Sequence, residues 1–204
     1  MIIIGITGSI GMGKTTIAQM LRRFSFPVFD SDKEVKHILE NNHDVKSQIF
    51  EIWPNVAIKE DKKIKVDKIL LSEIIFSNKK NRKTLEKIIH PQVRKKRDIF
   101  IQDNHSSDIV VLDIPLLYET GTDKICDEVF LAYTNPTLQK ERVLARKNMN
   151  EEIFNFINNA QWDTEKKKKK KPFLVITTYG KLVSFIIITT YLIIIISKRK
   201  LFKL

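Results

Sequence analysis

The feature that most constrains this chain is a glycine-rich segment near its start. Residues Gly8–Thr15, GSIGMGKT, match the pattern G-x-x-x-x-G-K-[ST]. Before it, residues 2–7 form an apolar run rich in β-branched side chains, which predicts a buried strand. After it, residues 14–24 show the apolar stripe of a helix. A strand, a glycine-rich turn and a helix in this order predict a loop that binds phosphate groups.

Each residue type in this loop suits phosphate chemistry. Glycines let successive backbone N–H groups turn toward phosphate oxygens, and the helix that follows adds the positive end of its dipole. Lys14 is expected to reach the β- and γ-phosphates of ATP, and the Thr15 hydroxyl is expected to hold Mg²⁺. The residues predicted to bind ATP here are Gly8, Gly11, Met12, Gly13, Lys14, Thr15 and Thr16.

The rest of the pattern predicts an α/β fold of the P-loop type, a parallel sheet flanked by helices. Further short buried strands are expected at residues 28–30, 109–112 and 129–132. Residues 33–103 are mostly helical by pattern and too long for a simple crossover. They therefore predict an inserted helical lobe that binds the substrate.

Composition excludes several other classes of protein. The chain has 36 Lys and Arg against 24 Asp and Glu, but eleven of these bases and none of the acids follow residue 165. The body is therefore nearly neutral, which argues against a nucleic-acid partner. The single cysteine, Cys126, excludes an internal disulfide, and the four histidines lack metal-ligand spacing. Without the pattern of a signal peptide at the start, we expect a cytoplasmic protein.

Two acids at the end of the second strand are candidates for catalysis. Asp30 and Asp32 stand two positions apart, where a carboxylate can accept the proton of an attacking hydroxyl. Either could instead cap the helix that follows. At the end of a later strand, Asp113 is either a Mg²⁺ ligand or a simple strand-end acid. The residues alone leave these alternatives open.

Together with the loop, several segments resemble the dephospho-coenzyme A kinase family. The resemblance runs in order from about residue 2 to residue 165. The matching segments are GSIGMGKTT (Gly8–Thr16), VFDSD (Val28–Asp32), LEKIIHPQV (Leu85–Val93), VVLDIPLLYE (Val110–Glu119), NPTLQKER (Asn135–Arg142) with Arg146, and Ala160–Gln161.

The resemblance implies a reaction and assigns roles to residues. ATP would phosphorylate the ribose 3′-hydroxyl of dephospho-CoA, the last step of coenzyme A synthesis, with Asp32 as general base. Substrate contacts would come from Asp32, His90, Pro115, Leu116 and Glu119. Arg142 would be catalytic and Arg146 would bind ATP, both on one helix face in a lid at about residues 141–165. A plainer alternative for Arg142 and Arg146 is that they lie on a helix face exposed to solvent. For His90 the plainer alternative is that it ends a helix before Pro91.

The chain departs from the family pattern after Glu165. Lys166–Lys171 is an unbroken lysine run that is expected to be solvated and mobile, and Leu182–Ile196 is almost wholly apolar. A membrane anchor is one explanation, and a buried final helix is less favoured because the pattern has no polar face. The favoured hypothesis is a non-native tail, residues 166–204, produced by a frame slip in the lysine codons.

Two other functions remain in competition with the first. Another small-molecule kinase, such as one for nucleosides, would share the same phosphate-binding loop. A catalytically impaired, membrane-associated ATP-binding protein would use the apolar tail as its membrane contact.

Overall fold

The computed structural model describes residues 1–60 and 63–201, and the backbone divides into two units. The first unit comprises residues 1–29 and residues from 105 onward, and the second comprises residues 30–104. The strands are β1 (Ile2–Thr7), β2 (Val28–Asp30), β3 (Ala57–Glu60), β4 (Lys63–Val66), β5 (Ile109–Asp113), β6 (Glu128–Tyr133) and β7 (Phe173–Ile176). The helices are α1 (Lys14–Arg23), α2 (Ser31–Asn41), α3 (His43–Ile52), α4 (Lys68–Ser77), α5 (Lys79–Asp103), α6 (Pro136–Leu144), α7 (Glu151–Ala160), α8 (Thr164–Lys168) and α9 (Lys181–Leu201).

A five-stranded sheet in the order β2-β5-β1-β6-β7 organises the first unit. Strand β1 pairs in parallel with β5 and β6, and β6 pairs in parallel with β7. All five residues of β5 are buried, as expected for a strand covered on both faces. The predicted α/β fold with a parallel sheet is confirmed.

Helices α1 and α9 share one hydrophobic core with the sheet. Ile17 and Leu21 of α1 lie in this core with Ile188 and Leu192 of α9. The ring of Phe24, just after α1, stacks on Phe185 of α9 with 5.4 Å between centroids. Burying these side chains supplies the main favourable free energy for holding the two helices on the sheet.

The apolar run after residue 180 is a helix with one buried face. Ile188, Leu192 and Ile195 are buried, and the spacings of four and three residues place them on one side of α9. The final helix that the apolar pattern disfavoured is therefore present and packed. Whether residues 166–204 are native sequence remains a prediction.

The lysine run is partly ordered and partly buried. Helix α8 begins after Asp163, whose carboxylate accepts a hydrogen bond from the backbone N–H of Lys166 at 2.7 Å, and it includes Lys167. The side chain of Lys167 is fully buried. The prediction that the whole run is solvated is therefore wrong at Lys167. The carboxylate of Glu119, in the first unit, forms an ion pair with the ammonium group of Lys167.

The second unit is mostly helical, as predicted for residues 33–103, but it also contains a hairpin. Strands β3 and β4 pair antiparallel, with Ala57 opposite Val66. Trp53 lies in the core of this unit with Val56 and Leu71. The hairpin was not predicted because two strands of four residues give too short an alternation to separate from helix.

Helix α5 continues through Pro91, although a helix end before this proline was one alternative for His90. Pro91 lies inside the helix, which runs 25 residues from Lys79 to Asp103. A proline inside a helix removes one backbone hydrogen bond and disfavours the α conformation of the residue before it. The apolar face of α5, which includes Ile89, packs in the core of the second unit and outweighs that cost. His90 is therefore a mid-helix residue and not a helix end.

Candidate active site

The phosphate-binding loop connects β1 to α1, as the sequence predicts. Gly11 and Gly13 have φ angles of 79° and 95°, in the left-handed region that favours glycine. The backbone N–H of Met12 donates to the carbonyl of Ser9 at 3.1 Å, which closes the turn. Lys14 opens α1, so the N–H groups of the first helical turn lie at the same place as the glycines. This arrangement presents several donors to one anion.

At two of these glycines, neighbouring residues leave no room for a side chain. A Cβ atom on Gly11 would lie 2.6 Å from a methyl group of Val143 and 2.8 Å from the carbonyl oxygen of Gln139. A Cβ atom on Gly13 would lie 2.8 Å from the hydroxyl oxygen of Thr177. Helix α6 and Thr177, the residue after β7, therefore lie in close contact with the loop.

Lys14 forms an ion pair with Asp113 at the end of β5. The Nζ atom lies 2.6 Å from Oδ1, and both side chains are largely buried. Strand β5 is the neighbour of β1, and Asp113 is in register with Ile6, which places the carboxylate beside the loop. Because the pair is sheltered from water, the attraction between the two charges is stronger than at a surface. The structure thus brings together two residues that the sequence predicted for the site.

Thr15 offers the other predicted oxygen ligand for a metal ion. Its side chain is exposed in the first turn of α1. In the part of the chain that the structure describes, no group of three or more His, Cys, Asp or Glu could hold a metal ion alone. A hydroxyl and one carboxylate fit Mg²⁺, which usually takes one or two protein oxygens together with water and substrate phosphates.

Arg142 reaches the loop through Thr177. The guanidinium group donates to the hydroxyl of Thr177 at 3.0 Å and to its carbonyl at 2.8 Å. The same hydroxyl donates to the carbonyl of Met12 at 2.8 Å. The loop, helix α6 and the end of β7 are thereby joined at one buried threonine. Thr177 was missed because the segment after Glu165 was interpreted as lying outside the family pattern, although residues after parallel strands border such sites.

Two glutamines hold the backbone of Ile10, also in the loop. The backbone N–H of Ile10 donates to the side chain of Gln161 at 2.9 Å, and its carbonyl accepts from Gln139 at 2.8 Å. Gln139 is buried in α6, and Gln161 follows α7. The loop is therefore tied to Gln139, just before the predicted lid, and to Gln161 within it.

Arg146 does not share a helix face with Arg142. Helix α6 ends at Leu144, and the backbone N–H of Arg146 donates to the carbonyl of Val143 in a turn. The side chain of Arg146 is exposed. The expected helical spacing of the two arginines is wrong because the helix is shorter than the charge pattern suggested. The ATP contact of Arg146 stays a prediction.

The segment after β5 is tied to neighbouring elements. The hydroxyl of Thr7 donates to the carbonyl of Pro115 at 2.9 Å, and the carbonyl of Leu116 accepts from the Thr120 hydroxyl at 2.8 Å. Glu119 accepts a hydrogen bond from the backbone N–H of Trp162 at 2.6 Å. The ammonium group of Lys167 lies 3.3 Å from the same carboxylate oxygen. Burial lowers the pKa of Lys167, and the nearby Glu119 opposes that shift.

In the second unit, Asp30, the last residue of β2, and Asp32 are in different environments. The side chain of Asp30 caps α2 by accepting from the backbone N–H of Lys33 at 3.1 Å. Asp32 is an exposed residue of the first turn of α2. The capping alternative therefore applies to Asp30, and Asp32 remains the candidate base.

His90 lies half-buried on α5, also in the second unit. Burial is the main cause that lowers its pKa, and Arg94 and Arg82 add to the effect against an opposing contribution from Glu86. A neutral imidazole at physiological pH can both donate and accept a hydrogen bond.

Comparisons with known proteins agree over most of the chain. The sequence profile described as dephospho-CoA kinase matches residues 2–181. A dephospho-CoA kinase from Rhodopseudomonas palustris is 37% identical over 182 residues, 88% of each chain. One from Agrobacterium fabrum is 41% identical over 170 residues, 82% of this chain and 84% of its own.

Solved structures show the same fold. The crystal structure of a Thermus thermophilus protein has a TM-score of 0.78 at 27% identity, covering 94% of this chain and 96% of its own. A dephospho-CoA kinase from Campylobacter jejuni has a TM-score of 0.67 at 28% identity, covering 97% and 98%. A deoxyadenosine kinase from M. mycoides, at 14% identity and a TM-score of 0.50, shares the fold alone. The family profile crosses the lysine run and ends at residue 181, so residues 166–181 still carry its pattern.

Proposed function

Because the chain belongs to the dephospho-CoA kinase family, we propose that it transfers the γ-phosphoryl group of ATP to the ribose 3′-hydroxyl of dephospho-CoA. The products are CoA and ADP, and the reaction is the last step of coenzyme A synthesis. The observation that carries the assignment of roles is the braced phosphate-binding loop with Lys14 held 2.6 Å from Asp113. A kinase of this class acts mainly by positioning phosphates and stabilising their charge.

Lys14 and Arg142 supply the positive charge at the site. When ATP binds, the ammonium group of Lys14 turns from Asp113 to the β- and γ-phosphates. Thr15 and the released carboxylate of Asp113 are then the residues that would hold Mg²⁺, which supplies neutralisation of the phosphate charge. Arg142, held beside the loop by Thr177, stabilises the oxygens of the transferring group.

Asp32 acts as the general base. It accepts the proton of the ribose 3′-hydroxyl as that oxygen bonds to the γ-phosphorus, while the bond from the γ-phosphorus to the β,γ-bridging oxygen breaks and ADP leaves. Support comes from its place in the first turn after β2 and from the capping role that occupies Asp30. Carboxyl ends of parallel strands border the ligand crevice in folds of this type.

The remaining predicted residues complete the proposal. The dephospho-CoA substrate contacts His90, Pro115, Leu116 and Glu119. The ATP molecule contacts Gly8, Gly11, Met12, Gly13, Thr16 and Arg146. The region of about residues 141–165 closes as a lid, which keeps water from competing with the 3′-hydroxyl. We also propose a cytoplasmic location, where the single cysteine stays reduced.

A matched pair of aspartate variants tests the assignment. Purified protein is assayed with ATP, Mg²⁺ and either dephospho-CoA or a panel of nucleosides. We expect conversion of dephospho-CoA, and Asp32→Asn lowers kcat by about 10²- to 10⁴-fold because the base is lost. Asp30→Asn serves as the control, since asparagine caps helices as well as aspartate does.

Three results would contradict the proposal. They are turnover of nucleosides alone, ATP binding without turnover of any acceptor, and an Asp32→Asn variant as active as Asp30→Asn. The first result would favour a nucleoside kinase. The second would favour an impaired ATP-binding protein.

A further inference from the structure

Helix α9 has a second apolar face, on the side opposite the core. Its exposed residues recur at intervals of three and four, so they share one side of the helix. Most are aliphatic: Leu182 is 74% exposed and Ile193 is 61% exposed. The whole exposed face comprises Leu182, Val183, Ile186, Thr190, Ile193, Ile194 and Ser197. An apolar strip of this length on a helix surface usually marks an interaction site.

Positive charge lies at both ends of this face. Lys181 and Lys198 are exposed at the two ends of α9. The exposed lysines of the preceding run end at Lys171, two residues before Phe173, whose ring stacks on Tyr191 of α9 with 3.6 Å between centroids. No acidic residue follows Glu165 in the sequence. The two ends of the apolar face therefore carry cations, and the sequence after Glu165 contains no carboxylate that could compensate them.

We propose that the exposed face of α9 docks on an anionic membrane surface, with the helix lying in the plane of the bilayer. A helix with an apolar face framed by lysines binds such surfaces by burying its apolar side chains and attracting anionic headgroups. Tyr179, 72% exposed just before the helix, has the amphipathic side chain that is enriched at membrane interfaces. With the proposed cytoplasmic location, the surface is the cytoplasmic leaflet.

The contacts of α9 exclude a helix that crosses the bilayer while the protein stays folded. Residues Lys181–Arg199 are long and apolar enough to span a membrane by length and composition. However, Ile188 and Leu192 on the opposite face are buried in the core of the first unit. The hydroxyl of Tyr191 donates to Glu128 at 2.8 Å. Surrounding the helix with lipid would remove these contacts.

The composition of the face favours lipid over a second copy of the chain. Side by side on a two-fold axis, two antiparallel α9 helices would bring Lys181 of one copy near Lys198 of the other, where like charges repel. Within the described part of α9, the exposed face consists of aliphatic and small polar residues without an aromatic ring. Strong protein-binding sites are instead enriched in Trp, Tyr and Arg.

Vesicle flotation with the full chain tests the proposal. We expect the protein to float with phosphatidylcholine vesicles containing about 30 mol% phosphatidylglycerol, and at least about tenfold less with phosphatidylcholine alone. The double variant Ile186→Glu/Ile193→Glu is expected to lose at least about tenfold in vesicle binding. The control double variant, Ile64→Glu/Ile69→Glu, adds the same charge at exposed isoleucines of β4 and α4 and should bind like the wild type. Thermal unfolding of both variants checks that they are folded.

Any of four outcomes would overturn the proposal. The protein does not float with anionic vesicles, or it floats equally well with neutral ones. The α9 double variant binds as well as the control. Alternatively, light scattering shows a dimer that the α9 double variant dissociates, which would assign the face to a second copy. Phosphorylation of dephospho-CoA is measured separately, so failure of either proposal leaves the other standing.

Discussion

Thr177 joins three parts of the first unit through one buried side chain. Its hydroxyl donates to the carbonyl of Met12 in the loop and accepts from Arg142 on α6. Its backbone N–H donates to Tyr133 at the end of β6. A buried group with this many partners fixes geometry, because each lost bond leaves an unsatisfied polar atom. Thr177 is therefore expected to control the position of Arg142.

Replacing Thr177 with valine tests this role. Valine keeps the shape but leaves the Met12 carbonyl and the Arg142 guanidinium without their hydroxyl partner. We expect kcat/KM for ATP to fall about tenfold to a hundredfold, the cost of unsatisfied buried polar groups. Thr177→Ser retains the hydroxyl and should stay within about threefold of the wild type. Equal activity of the valine and serine variants would show that the hydroxyl is dispensable.

Residue-level prediction from the sequence was most specific where a side chain belongs to a local motif. Lys14 was predicted to bind phosphate and Asp113 was left as a Mg²⁺ ligand or a strand-end acid; the structure places the two in contact, and their roles stay predictions. Asp30 and Asp32 were left as alternatives because capping depends on where the helix begins, which a sequence pattern gives only to within a few residues. Lys167 was missed because a lysine run indicates solvent, whereas its burial depends on Glu119, 48 positions earlier in the chain.

At the scale of elements, the phosphate-binding loop is shaped as much by its surroundings as by its glycines. Helix α6 and the segment after α7 hold Ile10 through Gln139 and Gln161. Val143, also on α6, lies against Gly11. The loop therefore has little room to accept a side chain even where its backbone conformation would tolerate one.

Two glycine variants separate backbone strain from crowding. Gly11 and Gly180 both have positive φ, at 79° and 91°, but only Gly11 has neighbours within 4 Å of an added Cβ. Each alanine variant should lose about 1–2 kcal/mol in free energy of unfolding from backbone strain. Gly11→Ala should also lose kinase activity, because its Cβ would displace α6 or the loop, whereas Gly180→Ala should retain it. Chemical denaturation and steady-state kinetics measure the two effects, and a fully active Gly11→Ala would contradict the crowding argument.

Element prediction from the sequence failed where local patterns were weak. The β3–β4 hairpin consists of two four-residue strands, which are too short for their alternation to stand out within a mostly helical stretch. A helix end before Pro91 was left open as an alternative, but the packing of residues on both sides of it keeps α5 continuous. In contrast, β1 and β5 were predicted correctly because central parallel strands are continuously apolar.

At the scale of the whole molecule, helix α9 is part of the hydrophobic core of the first unit. Ile188, Leu192 and Ile195 lie in the same core as Ile4 and Leu21. The sequence could not indicate this, because a helix that is apolar on all sides gives no sign of which face is buried. Removal of the helix would expose α1 and one face of the sheet.

Two adjacent residues of α9 make a matched test of this packing. Leu192 is 4% exposed and Ile193 is 61% exposed. Leu192→Ala should lower the free energy of unfolding by about 2–5 kcal/mol, because it leaves a cavity in the core. Ile193→Ala should change it by less than about 0.5 kcal/mol. Equal effects of the two substitutions would show that α9 does not pack as described, and would support the hypothesis of a non-native tail.

The hydrogen bonds through Thr177 that hold the loop have a consequence for synthesis on the ribosome. Residues Gly8–Thr15 leave the ribosome about 160 residues before Thr177, which holds Met12 and Arg142 in place. A nascent chain that lacks β7 has the glycines and Lys14 but not the arginine in its working position. The enzyme is thus expected to gain full nucleotide affinity only after β7 has emerged and joined the sheet.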